Sequence, residues 1–125
     1  MHVLSQTNAA LVPGGVLVDL HPVGVGAHLE ARGQRLGELD EADFRELVLA
    51  TEAGLEQTIR RGIFVREAVL RRALVERWND AEELLEDVAE WETQRVPPDV
   101  ERRVRAIDGP IDLIERFVFQ RLRAT

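Results

Sequence analysis

The chain has no cysteine, no lysine and no long apolar run. Without cysteine there is no disulfide, no thiolate nucleophile and no cysteine-ligated metal centre. Without lysine, all sixteen basic side chains other than histidine are arginines, which a GC-rich coding sequence accounts for through the CGN codons. No segment approaches the ~20 apolar residues of a membrane-spanning helix. The first residues lack the basic-then-apolar order of a signal peptide, so a cytoplasmic location is expected. Positive charge is also short: the formal net charge is −7. A nucleic-acid binder needs a basic stripe to neutralise phosphate, and no such partner is expected here. The pairs Arg60-Arg61, Arg71-Arg72 and Arg102-Arg103 are interleaved with Glu67, Glu76 and Glu101 and read as a solvated face.

What is present is the composition of a folded domain. At 45% hydrophobic and 31% charged over 125 residues, the chain has enough aliphatic side chains to escape disorder and enough length for one core. His2–Leu11 has helical character and stops at the turn Val12-Pro13-Gly14-Gly15. Val16-Leu17-Val18-Asp19-Leu20 is an apolar run of strand length with apolar residues on both faces, so a strand covered on both sides is expected. The segments around 28–31 and 35–39 flank Arg32-Gly33-Gln34 and read as a β-hairpin in which Gly33 supplies a positive φ.

Two helices stand out. The first follows Asp40, its expected N-cap, and carries Phe44, Leu47, Val48, Thr51, Leu55 and Ile59 at helical spacing before Gly62 stops it. The second follows Asn79, which with Glu82 forms a variant capping box, and carries Ala81, Leu84, Leu85 and Val88. A short third helix with Val100, Val104 and Ile107 starts at Pro97-Pro98. Two segments fit either template. Over 64–78, Val65, Val69 and Ala73 match a helix, while Phe64, Ala68, Leu70, Leu74 and Trp78 match a strand face. Over 111–122, Ile111, Leu113, Phe117 and Phe119 alternate as in a strand, while Ile111, Ile114, Val118 and Leu122 match a helix.

The stretch Ala9-Ala10-Leu11-Val12-Pro13-Gly14-Gly15-Val16-Leu17-Val18-Asp19 resembles the L-x-P-G-G-x-L segment that leads into strand five of class I S-adenosylmethionine-dependent methyltransferases. Val75–Leu85 is similar to that family's passage from strand six into a helix, and Ile114–Leu122 to its last strand. The resemblance implies that 64–78 and 111–122 are strands and that the spatial order is five, seven, six, with the last strand in the middle. The expected architecture is α+β: a small mixed or antiparallel sheet of about three strands near 16–20, 64–78 and 111–122, with a hairpin near 28–39 projecting from it. Helices near 41–61 and 80–91 pack on the sheet. The family holds its cofactor with a Gly-rich turn after strand one and an acidic residue ending strand two. Neither motif occurs here, and Gly24-Val25-Gly26 follows strand five without opening a long helix. No cofactor is therefore expected for this chain alone, and S-adenosylmethionine only if a missing half complements it.

Candidate site residues lie at the C-terminal end of the first strand, where open α/β sheets favour ligands. They are Asp19, His21 and His28, as substrate-binding groups. A zinc site built from these with His2 lacks any recognised ligand spacing. No nucleophile motif is present, so catalytic residues remain unassigned. Trp78 and Trp91 are read as core or interface residues. The functional expectation is a methyltransferase-related half-domain, not catalytic alone, serving as a homo-oligomeric remnant or binding protein. The alternative is part of a methyltransferase, as a split enzyme with a separate cofactor-binding chain or as a truncated gene product. The resemblance leaves one edge of Val16–Leu20 without its family neighbour, so a homodimer joined there is expected.

Overall fold

The computed structural model describes residues 12–125; the helix expected over His2–Leu11, and His2 itself, lie outside the described residues. The elements run β1 (Val16–Pro22), β2 (His28–Ala31), β3 (Gln34–Glu38), α1 (Ala42–Arg60), β4 (Phe64–Trp78), α2 (Ala81–Ala89), α3 (Pro98–Arg105) and β5 (Ile111–Ala124). The class is α+β, and both segments that fitted either template are strands. Among the described residues no helix is long and apolar enough to cross a membrane.

Five strands form one sheet in the order β1-β5-β2-β3, with β4 also paired to β5. The β1–β5, β2–β5 and β2–β3 pairs are antiparallel. Arg77 meets Asp112 while Glu67 meets Arg123, so β4 and β5 run in opposite directions as well. The last strand thus lies between β1 and β4. The hairpin does not project: β2 bonds to β5 from His28↔Ile114 to Glu30↔Asp112, which makes β2 and β3 full members of the sheet. Its two-residue turn has positive φ at both Arg32 and Gly33, the twist that suits a tight hairpin.

The chain divides into two compact units, one of 12–22, 47–72 and 117–125, the other of 23–46 and 73–116. In the first, Leu55, Phe64, Leu122 and Ala124 form a core against which Leu17, Ile59 and Ile63 pack. Full burial of a side chain such as Phe64 or Leu122 contributes about 1.5–3 kcal/mol. The end of α1 is held by Gly62, at φ 74°. Gly62 N–H bonds Ile59 O and Ile63 N–H bonds Thr58 O, a pairing that satisfies the last carbonyls only when the residue after the helix turns left-handed. The buried stripe of α1 is Val48, Leu55 and Thr58. Leu47, expected on that stripe, is exposed.

In the second unit, Leu29 and Leu36 of the hairpin, Leu84 of α2, Val104 of α3 and Ile111 and Leu113 of β5 close around Trp78. The Trp78 indole donates to Asp87 at 2.6 Å, and its ring lies 6.1 Å from that of Trp91. Trp78 is thus buried in this core, and Trp91 packs against it partly buried.

Three expectations need correction. Strand β1 is covered on one face only, because Val16, Val18 and Leu20 are 41%, 66% and 52% exposed. Helix α2 starts one residue later than expected: Asp80, not Asn79, is its N-cap, accepting from Glu83 N–H at 2.9 Å. Asn79 instead donates to the Glu83 carboxylate. Asp40 sits one residue outside the N-cap position of α1, where it accepts from Ala42 N–H at 3.2 Å, while Glu41 O takes the first helical bond from Arg45. Asp80→Ala is expected to cost roughly 0.5–2 kcal/mol in a urea melt, and Asn79→Ala clearly less. An equal or larger loss at Asn79 would contradict this cap.

Candidate functional site

Alternation along β1 separates two faces. The bond from Ala124 N–H to Gly15 O, with the register Val16↔Arg123, directs the backbone groups of Leu17, Asp19 and His21 toward β5. Those of Val16, Val18 and Leu20 point to the opposite edge, because a strand's backbone groups alternate in direction. Side chains alternate too, so Asp19 and His21 share a face with Leu17. On β5 the partners are Gln120 opposite Asp19 and Val118 opposite His21.

These residues form a continuous polar line in the first unit. His21 Nδ1 lies 2.7 Å from Asp19 Oδ2. The same oxygen accepts from Gln120 Nε2 at 3.2 Å, and Gln120 Oε1 accepts from Arg66 Nε at 2.7 Å. Arg66 then pairs with Glu56 of α1. At the other end, His21 Nε2 is 3.5 Å from Glu52 Oε1. His21 is 8% exposed and Gln120 6%, so the middle of the line is buried. Such a line holds each side chain in one orientation, because breaking any link leaves a buried polar group unpaired.

The line borders a cavity of about 330 Å³ whose wall also includes Leu55, Val69, Val118 and Arg71. This is the small end of the ~300–1,000 Å³ range of small-molecule sites. Among the described residues no serine, threonine or cysteine lines it, so their side chains offer charge and hydrogen bonds but no hydroxyl or thiol nucleophile. Among the described residues no three His, Asp or Glu side chains are arranged to hold a metal ion.

Asp19 and His21 are therefore brought together. His28 is not part of this cavity: it belongs to the second unit, with Nδ1 3.1 Å from Gly26 O and Nε2 3.5 Å from Glu30. Sequence reasoning missed Gln120, Glu52, Glu56, Arg66 and Arg71. One signal was available. Gln120 is an amide between Val118 and Leu122 on the buried face of β5, and a polar group there needs a partner.

A second cluster lies in the other unit. Glu41 is buried and accepts from Ala27 N–H at 3.2 Å and from Gln94 Nε2 at 2.9 Å. Burial raises the Glu115 carboxyl above its usual range, and the charges of Glu41 and Glu76 raise it further against a hydrogen bond from Gln94. A carboxyl raised on folding opposes stability once ionised, so its contribution is full at acid pH and is lost as pH rises through the folded value. Glu115→Gln should therefore raise the melting temperature at neutral pH, and the gain should vanish near about pH 4, where unfolded glutamate takes up its proton. A gain that is constant across this range would show that ionisation is not its source.

Comparison with protein-family models, curated proteins and solved structures returns no match for this chain.

Proposed function

We propose that these residues form a methyltransferase-type module that is not catalytic by itself and acts as a self-associating binding domain. The observation that carries this reading is the strand order, with β5 between β1 and β4. That is the order implied by the likeness of Ala9–Asp19, Val75–Leu85 and Ile114–Leu122 to class I methyltransferases. The cofactor-holding Gly-rich turn and ribose carboxylate of that family have no counterpart in the sequence. What the module retains is a sheet and a small polar cavity.

The edge of β1 supports self-association. Among the described residues β1 pairs with β5 alone, and the backbone groups of Val16, Val18 and Leu20 point away from that ladder. No charge precedes Asp19 on this strand. The contrast with β4 is instructive, since Arg66, Glu67, Arg71, Arg72, Glu76 and Arg77 interrupt that strand. Charges along an edge discourage pairing with another chain, and an apolar edge without them recruits one. Two copies of β1 aligned antiparallel about a two-fold axis satisfy each other's outward groups and continue the sheet.

Light scattering coupled to size exclusion should give a dimer at micromolar concentration, and a 14 kDa species would refute it. Val18→Pro removes an outward N–H without touching the β1–β5 ladder and should yield the monomer; a dimer that persists would place the interface elsewhere. The isolated 125-residue chain should give no saturable heat with S-adenosylmethionine in calorimetry. A dissociation constant in the low micromolar range would overturn the non-catalytic reading while leaving the dimer intact.

A further inference from the structure

We propose that the Asp108–Gly109 peptide is a site of spontaneous covalent modification, at which Asp108 of the folded chain rearranges through a cyclic imide to isoaspartate. Two observations meet at this peptide, and neither depends on the function of the module. The first is a carboxylate with no partner. Among the described residues nothing bonds the Asp108 side chain, although every other aspartate is engaged. Asp19 meets His21, Asp40 the Ala42 N–H, Asp80 the Glu83 N–H and Asp87 the Trp78 indole. Asp43, Asp99 and Asp112 face Arg95, Arg103 and Arg77. The second is an amide hydrogen with no acceptor. Asp108 and Gly109 lie between α3 and β5, outside any helix or strand, and among the described residues Gly109 N–H donates to no carbonyl or side chain.

Sequence and space make the two groups reactive toward each other. Asp108 is the only aspartate or asparagine of the chain that precedes a glycine. A β-carbon on the following residue would crowd its nitrogen, and glycine has none. Nothing lies within 4 Å of where a Gly109 β-carbon would stand, and Asp108 is exposed. The step needs no reagent but water. Gly109 N attacks Asp108 Cγ and an N–C bond forms, while the amide proton and the carboxyl hydroxyl leave as water and close a five-membered imide. Hydrolysis returns that water. Opening at the side-chain carbonyl restores aspartate. Opening at the main-chain carbonyl leaves the chain running through the former side-chain carbon, with the former backbone carbonyl as a free α-carboxylate. Mass and oxidation level are unchanged.

Arg32 favours the second opening. Its Nη2 donates to the Asp108 carbonyl oxygen at 2.7 Å, and that oxygen becomes part of the free carboxylate. An anion then replaces a neutral acceptor, and a hydrogen bond to a charged group is the stronger one. Arg32 stands in the tight β2–β3 turn, at φ 52°, and all of these groups belong to the second unit. The isoaspartyl link inserts one more backbone carbon just ahead of β5, whose first residue, Ile111, is fully buried. The modification thus falls at the entry to the strand that pairs with β2 from Asp112 onward.

The test ages the full chain at body temperature in mildly acidic buffer and compares its tryptic digest with that of fresh protein. Cleavage after Arg105 and Arg116 releases residues 106–116, which hold both Asp108 and Asp112. Ageing should give a second peptide of identical mass that Asp-N endoproteinase no longer cuts before Asp108 but still cuts before Asp112. Asp108→Glu, whose imide would need a six-membered ring, should give a single peptide. Arg32→Asn, which places a residue tolerant of positive φ in the turn, should keep the reaction. It should lower the ratio of isoaspartate to aspartate about two- to fivefold, the range for loss of an exposed ion pair. Three results would overturn the proposal: no second peptide from the aged native chain, whether or not urea-unfolded chain yields one; a change at Asp112 in place of Asp108; or a second peptide of equal mass from Asp108→Glu. An unchanged ratio in Arg32→Asn would overturn the part given to Arg32.

Discussion

Strand β5 makes the backbone hydrogen bonds on which every other sheet element depends. It pairs with β1 along its C-terminal part, with β2 along its N-terminal part and with β4 as well. Its side chains contribute to both cores, Ile111 and Leu113 in one unit and Leu122 and Ala124 in the other. The buried positions are odd-numbered at Ile111 and Leu113 and even-numbered from Val118 to Ala124. That change of parity falls where the chain passes from the second unit to the first. The buried residues of β5 thus belong to two separate cores, and its sequence has no single clean alternation.

The polar cavity follows from the same strand. Gln120 occupies a buried position between Val118 and Leu122, where an apolar residue would simply fill space. Placing an amide there obliges Asp19 and Arg66 to supply partners, and Asp19 in turn orients His21. The site is a consequence of one polar side chain on a core face together with the neighbours that its hydrogen bonds require. The acidic cluster around Glu41 shows the less complete case. Gln94 provides amide hydrogens for the carboxylates, but burial, and after it the charges of Glu41 and Glu76, still raise the Glu115 carboxyl.

Much of the fold was legible locally. The turn at Arg32-Gly33, the stop at Gly62 and the helix of Ala81, Leu84, Leu85 and Val88 depend on a few adjacent residues, and each lies where its pattern placed it. Cap positions were less secure, because Asn79 and Asp80 are both good N-cap residues. Which of them has the right backbone geometry depends on where β4 ends. Leu47 was misread because a helix pattern shows that a residue is apolar, not whether another element reaches that side of the helix.

By itself the sequence determined the element boundaries within a few residues and the absence of thiol chemistry. Those properties are local, and local backbone geometry enforces them. Tertiary structure, and not the side-chain period, makes 64–78 and 111–124 strands, since their side chains fit either period until hydrogen-bond partners are chosen. It also decided that Val16, Val18 and Leu20 stay exposed, and that Glu52, Arg66 and Gln120, from three distant segments, meet beside His21. Contacts between residues far apart in the chain depend on the order in which strands pair, and no window of sequence contains that order.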